Sequence, residues 1–217
     1  MYLSRVEIDV ANRQKLKDLS HLGAYHSWVE QCFSSELQRH ERSRKLWRID
    51  PLQDKLYLLV VSELAPNLQK LEKYGVEGTG QTVNYDEFLN SLTDGLLARF
   101  RVTLNPVQSI SSGKQSGKRG RVVPHVTVAQ QLGYLEQQAT KHGFELVDNH
   151  YEVVNRTFRT LKYQGDLKPV QISQVSYQGL LKITDAQKIK SAMTLGIGKK
   201  KAYGCGLLTL IPVNHDK

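Results

Sequence analysis

The stretch with the most chemical character is Gly196-Ile-Gly-Lys-Lys-Lys-Ala-Tyr-Gly-Cys-Gly206, two G-x-G units separated by five residues that include three lysines. Its glycines, Gly196, Gly198, Gly204 and Gly206, permit positive φ and close approach of another backbone. Clustered N–H groups in such a loop bind phosphate oxygens, and Lys199, Lys200 and Lys201 add positive charge. It is not a dinucleotide fingerprint, because that motif leaves a strand and opens a helix, and Lys201 stands where its third glycine belongs. It is not a P-loop, because no GK[ST] occurs. The same residues also make a plain helix-to-strand connection with solvated lysines, and composition leaves both readings open. A second basic segment, Gly113-Lys-Gln-Ser-Gly-Lys-Arg-Gly-Arg121, places Lys114, Lys118, Arg119 and Arg121 among three glycines with no acid. It suits ordering on a phosphate backbone, or equally an exposed hairpin. Arg99 and Arg101 on one strand face, and Arg156 and Arg159 on another strand, extend the basic surface. Tyr151, Tyr163 and Tyr177 are suited to stacking on bases if they line an exposed sheet.

Of seven histidines, His26 stands out by position. Tyr25, Trp28, Val29, Cys32, Phe33 and Leu37 recur at helical spacing and predict an apolar stripe over about 23–38. His26 falls at the edge of that stripe, in the first turn, where helix N–H groups favour an anion and disfavour an imidazolium. A neutral imidazole beside a phosphate can deprotonate a ribose 2′-hydroxyl. The competing reading is a boundary histidine held by a hydrogen bond. It also covers His21, His40, His125, His142, His150 and His215, which fall in loops, turns or at the terminus. No DxD, HExxH or paired carboxylates occur in a plausible frame, so neither metal nor cofactor is expected.

The elements that must position these groups alternate between strand and helix. Strands are expected at 2–10, 45–49, 55–62 and 97–104, with helices at 23–38 and after Pro66; residues 75–95 carry no clear pattern. This order is the split βαβ pattern of a ferredoxin-like unit. The second half repeats it less clearly, with strands at 121–126, 144–161, 169–183 and 207–213 and helices at 127–141 and 185–195. The expected fold is therefore α+β, two tandem ferredoxin-like domains with antiparallel sheets, 1–106 carrying His26 and 107–217 carrying the basic and glycine-rich loops.

Charge divides along the same line. Residues 1–106 hold 14 basic and 14 acidic side chains; residues 107–217 hold 16 and 7, which accounts for the whole net charge of +9. A segregated excess marks a polyanion-binding face more often than a solubility device. The longest apolar run, Leu56–Val61, is far too short to span a membrane, and the N-terminus has no apolar signal region. Two cysteines without CxxC spacing fit a reducing cytoplasm.

Met1-Tyr-Leu-Ser-Arg-Val6, Leu46-Trp-Arg48, Phe100-Arg-Val-Thr-Leu-Asn-Pro106 and the Gly196–Gly206 loop running into Leu207-Leu208 together resemble the CasE family. These are CRISPR RNA-processing endoribonucleases of the type I-E Cascade complex, within the RAMP superfamily. The resemblance runs the length of the chain. It implies two RRM-like domains that bind the CRISPR repeat hairpin and cut at its base without metal. The expected product is a 2′,3′-cyclic phosphate, or a monoester after its hydrolysis, and the resemblance implies that the protein stays with the mature guide RNA and other Cascade subunits. It also implies that His26 is the catalytic histidine, either as general base toward the 2′-hydroxyl or as acid toward the leaving 5′-oxygen. Some members have a tyrosine three residues earlier, where this chain has Gly23; Tyr25, the nearest phenol and about 100° away on a helix, is the candidate second catalytic residue beside His26. The alternatives are a non-catalytic RNA-binding subunit of the same superfamily and, more distantly, a basic α+β DNA-binding protein.

Overall fold

A computed structural model describes residues 1–39, 42–111, 120–162 and 168–213. The elements run β1 (Tyr2–Glu7), α1 (Arg13–Asp18), α2 (Leu22–Gln31), α3 (Ser34–Arg39), β2 (Lys45–Leu52), β3 (Lys55–Ser62), α4 (Leu68–Leu71), β4 (Gln81–Asn84) and α5 (Asp86–Ser91). They continue with β5 (Leu97–Leu104), β6 (Val107–Ile110), β7 (Arg121–Pro124), α6 (Val128–Lys141), β8 (Phe144–Leu161), β9 (Val170–Ile183), α7 (Ala186–Leu195) and β10 (Leu208–Pro212). Among the described residues no helix is long and apolar enough to cross a membrane.

Two antiparallel four-stranded sheets result, ordered β2-β3-β1-β4 and β10-β5-β9-β8. Read as strands one to four of each unit, both orders are four-one-three-two, the ferredoxin-like arrangement, so the fold is a tandem duplication of one unit. The hairpin of β6 and β7 is inserted after the first strand of the second unit.

The division at Pro106 needs correction. It assigns Leu97–Leu104 to the first unit, but β5 pairs with β9 and β10 and opens the second sheet. The true fourth strand of the first sheet is β4, paired with β1 from Tyr2↔Asn84 to Arg5↔Gln81. The sheets thus part company between Asn84 and Leu97.

Local chemistry explains the helices that matter. Thr127 caps α6 in a capping box with Gln130, and Asp185 caps α7 by accepting from the Lys188 N–H. Ala98, Phe100, Val102 and Leu104 of β5 are buried in the second core with Leu135, Ile189 and Met193 of its helices. The cores interlock across the seam. Leu46 and Val61 of the first sheet belong to the second core, and Leu161 and Ile172 of β8 and β9 belong to the first, with Leu22, Tyr25 and Val29 of α2.

Candidate active site

Helix α2 buries Leu22, Tyr25, Trp28 and Val29 as one face, as the apolar spacing predicts. It is shorter than expected, however: the chain leaves the helix at Cys32 and resumes as α3 at Ser34. His26 lies beside the buried face, half-buried, as the fifth helical residue. It therefore sits at the start of the second turn, so the helix end is not its main electrostatic influence. Burial lowers its pKa below the ordinary histidine value; Glu30, one turn on, opposes this, and Arg42 and Lys45 reinforce it. Glu30 is itself partly neutralised, because the buried Lys45 ammonium lies 3.6 Å from it while bonding Glu36. The imidazole is thus biased toward its neutral, proton-accepting form at neutral pH.

The glycine-rich loop comes back from the second unit to meet this histidine. Its turn Lys201–Tyr203 is fixed by two side chains outside it. Trp47 Nε1 of β2 donates to the Ala202 carbonyl at 3.1 Å, and Gln174 Nε2 of β9 donates to the Tyr203 carbonyl at 2.8 Å. Gly204 follows at φ +78°, where a Cβ would lie 2.9 Å from the Trp47 ring. Glycine is therefore required there both by its backbone conformation and by the approach of β2. So held, the Tyr203 ring stands edge-on to His26, with centroids 5.7 Å apart and planes at 65°. Lys200, left-handed at φ 61°, carries its ammonium 5.9 Å from the Tyr203 ring centroid. Burial lowers the Lys201 pKa, and nearby Arg44 adds to the effect.

The expectation that the loop's glycines offer a cradle of N–H groups to phosphate is corrected in part. Gly196, Gly204 and Gly206 are buried, and the N–H groups of Gly196 and Gly206 already donate to the carbonyls of Ala192 and Thr103. Those glycines let the loop pack against β2 and β5; they do not face a ligand. Gly198 is the half-buried exception, but it too sits against protein, where a Cβ would stand 3.0 Å from the Tyr134 hydroxyl. What the loop leaves exposed is Lys199 and Lys200 rather than its glycine backbone.

The seam that makes this apposition rigid centres on Arg48 of β2, whose side chain is 2% exposed. Its Nη1 donates to the carbonyls of Arg101 and Leu207, both at 2.7 Å, and its Nη2 to Thr209 Oγ1 at 2.8 Å. Nε and Nη2 also grip Asp50 in a two-point pair at 2.7 and 2.6 Å. The charge is compensated and its donors are committed, the condition under which a buried guanidinium is tolerable.

The expected site residues divide accordingly. His26 and Lys200 each lie against the Tyr203 ring, with Lys201 in the same turn, and Lys199 is exposed just before it. Tyr25 does not join them. It is 8% exposed, its ring stacks on Trp47 at 5.8 Å and 21°, and burial raises its phenol pKa, so the expectation of a catalytic Tyr25 is corrected to a core role. Arg159 is exposed on β8 and lines a crevice with His21, Leu22 and Tyr25. Arg156, three residues earlier on the regular part of the strand, points from the opposite face, so the two do not form one patch. Arg121 is exposed on the β6–β7 hairpin, opposite Ile110. Lys114, Lys118 and Arg119 lie outside the described residues, as do Tyr163, His40 and His215. Arg101 is drawn to Asp50 at 3.5 Å, and only Arg99 of that pair is freely exposed. Tyr177 is fully buried with its hydroxyl on the Gln131 carbonyl, and Tyr151 donates to Glu136, so neither is a free stacking surface.

Tyr203 is the residue that sequence reading missed. Its signal was present, since it is the single aromatic side chain within the glycine-rich loop.

Comparison with known proteins gives this arrangement a context. A family model described as CRISPR associated protein matches residues 1–212. The CRISPR-associated endoribonuclease Cse3 of Thermus thermophilus is 27% identical, over 98% of this chain and all of its own. The CRISPR system Cascade subunit CasE of Escherichia coli K12 is 31% identical over 55% of this chain and 60% of its own. The structure of Thermus thermophilus Cse3 bound to an RNA representing a pre-cleavage complex superposes with a TM-score of 0.77 at 25% identity, over 97% of this chain and 98% of that one. A match of this extent, on a duplicated ferredoxin-like fold, establishes that the chain belongs to the Cse3/CasE family of CRISPR-associated endoribonucleases.

Proposed function

We propose that this protein is the endoribonuclease that binds the CRISPR repeat hairpin, cuts precursor CRISPR RNA at the base of the stem, and remains on the guide RNA with other Cascade subunits. The observation that carries the reading is the apposition of His26 with the lysine-bearing turn of the glycine-rich loop. A proton acceptor and a phosphate-binding cation are what in-line cleavage of a ribose–phosphate junction requires.

In the proposed reaction the neutral His26 imidazole takes the 2′-hydroxyl proton. The 2′-oxygen then forms a bond to the adjacent phosphorus as the bond to the 5′-oxygen breaks. The products are a 2′,3′-cyclic phosphate and a 5′-hydroxyl, the leaving oxygen taking its proton from solvent. Lys200, with Lys199 and Lys201 beside it, neutralises the extra charge on the phosphorane. No metal enters these steps. Arg121, Arg156 and Arg159, together with Lys114, Lys118 and Arg119, are assigned to the RNA backbone. An A-form stem is held mainly by its backbone geometry, which suits cations placed on several surfaces. The two buried free thiols, Cys32 and Cys205, fit a reducing cytoplasm, where we place the protein.

The test is cleavage of a labelled repeat hairpin in EDTA by the wild-type protein and by His26→Ala. Clean cutting by the first, with cyclic phosphate ends, and retention without cutting by the second are expected. Normal turnover by His26→Ala would remove the histidine from the mechanism. Binding without cutting by both proteins would instead favour a non-catalytic RNA-binding subunit.

A further inference from the structure

We propose that Tyr203 is the positioning residue of the site, its ring setting the orientation of the His26 imidazole and carrying the Lys200 ammonium on the same wall. The inference rests on the nuclease reading of His26 and extends it to a residue of the other unit.

Three features support it. First, Tyr203 cannot easily move: its carbonyl is held by Gln174, the preceding carbonyl by Trp47, and the following glycine is pressed against the Trp47 ring. A side chain on a backbone fixed at both ends is a firm stop for whatever packs against it. Second, His26 needs such a stop. It sits on the half-exposed side of α2, and among the described residues no hydrogen bond fixes its ring and the edge-on contact with Tyr203 is its only aromatic one. Edge-to-face pairs at this spacing have a preferred geometry and so narrow the ring's orientations. Third, the same ring carries a cation: the Lys200 ammonium lies 5.9 Å from the Tyr203 centroid, so one side chain contacts both the imidazole and a phosphate-binding group. The groups acting on His26 are then Glu30 on its own helix, Arg42 and Lys45 at the entry to β2, and the Tyr203 ring on the loop. Tyr203 is the uncharged member of this set; it shields the imidazole from water without adding a charge.

Tyr203→Phe and Tyr203→Leu separate the ring from its hydroxyl. Tyr203→Phe is expected to keep single-turnover cleavage within about threefold. Tyr203→Leu is expected to lose about ten- to a hundredfold, the scale of a misplaced catalytic group, while hairpin affinity stays within about threefold. In Tyr203→Leu the His26 titration, followed by NMR and assigned with His26→Gln, moves up toward the ordinary histidine value, and the acid limb of the pH–rate profile moves with it. Tyr203→Met makes the same comparison if the leucine variant does not fold. Unchanged cleavage and an unmoved titration in Tyr203→Leu would overturn the proposal. So would Tyr203→Phe failing as badly as Tyr203→Leu, which would assign a chemical task to the hydroxyl, or an affinity loss that accounts for the whole rate loss. A dead His26→Ala beside an unimpaired Tyr203→Leu overturns only this inference; a fully active His26→Ala overturns the nuclease assignment and this one together.

Discussion

The two halves of the molecule share one topology and almost nothing else. Divided where the sheets part, at residue 96, the first unit carries 12 basic and 14 acidic side chains and the second 18 and 7. The first supplies the helix that holds His26, and the second supplies the loop that brings lysines to it. On the proposed reading, a duplicated fold places the proton acceptor on one half and most of the cations on the other. The separation has a physical logic. An imidazole works as a base only if it is neutral, and a dense positive field on its own unit would depress its basicity further than burial already does.

The largest expected effect comes from breaking the first half's contribution. His26→Ala should lower single-turnover cleavage by about 10²–10⁴-fold, the usual worth of a positioned acid–base group, with hairpin affinity within about threefold. Gel-shift and cleavage assays on the same RNA check both numbers. Next comes the seam. Arg48→Met removes the two-point partner of Asp50, leaving it only Arg101 at 3.5 Å, and takes a donor from the Arg101 and Leu207 carbonyls; it should cost about 3–5 kcal/mol by chemical denaturation. A smaller cost is expected for Gly204→Ala, about 1–2 kcal/mol for an L-residue at positive φ, together with slower cleavage as the turn is pushed off Trp47.

The second half is probed by salt. Replacing Lys199, Lys200 and Lys201 with alanine should weaken hairpin binding and flatten the slope of log affinity against log salt, by about 0.7–0.9 for each phosphate no longer neutralised. An unchanged slope would mean that the loop's lysines do not touch phosphate. The finest test is pH. Because burial lowers the His26 pKa, the native state holds fewer protons than the unfolded chain as pH falls through the ordinary histidine value. The stability and rate linked to neutral His26 are therefore fully present above that value and lost below it. The acid limb of the pH–rate profile should have its midpoint below about 6.5.

Much of the fold was legible because strong patterns made it so. The strands at 55–62, 97–104 and 144–161 have the expected bounds, since alternation, buried runs and turn residues all agree there. β4 was not legible. Gln81–Asn84 is a four-residue edge strand with mostly exposed side chains, so it has no apolar parity to detect. With that strand hidden, the well-patterned β5 was assigned to the first sheet, and the domain boundary moved with it. The site was legible by parts. His26 and the glycine-rich loop each have a local signature, but their meeting depends on Trp47, Gln174 and Arg48, whose partners lie far along the chain. Tyr25 misled for the same reason: its neighbour Trp47 is remote in sequence, and only the packed structure shows that the phenol is interior. The glycines misled in a related way, because Gly196 and Gly198 look alike in sequence while one is pressed on Leu46 and the other on Tyr134.

The positions of the two tryptophans have a practical consequence. Trp28 and Trp47 are both buried and both belong to the first unit, but the indole N–H of Trp28 donates to Lys70 within that unit, whereas that of Trp47 donates across to Ala202. Intrinsic fluorescence is therefore a two-channel gauge of the chain. In a Trp47→Phe protein the emission follows Trp28 and the first unit, while in Trp28→Phe it follows Trp47 and responds to loss either of the first core or of the second unit's loop, so a shift in the second protein without one in the first signals that the second unit has let go.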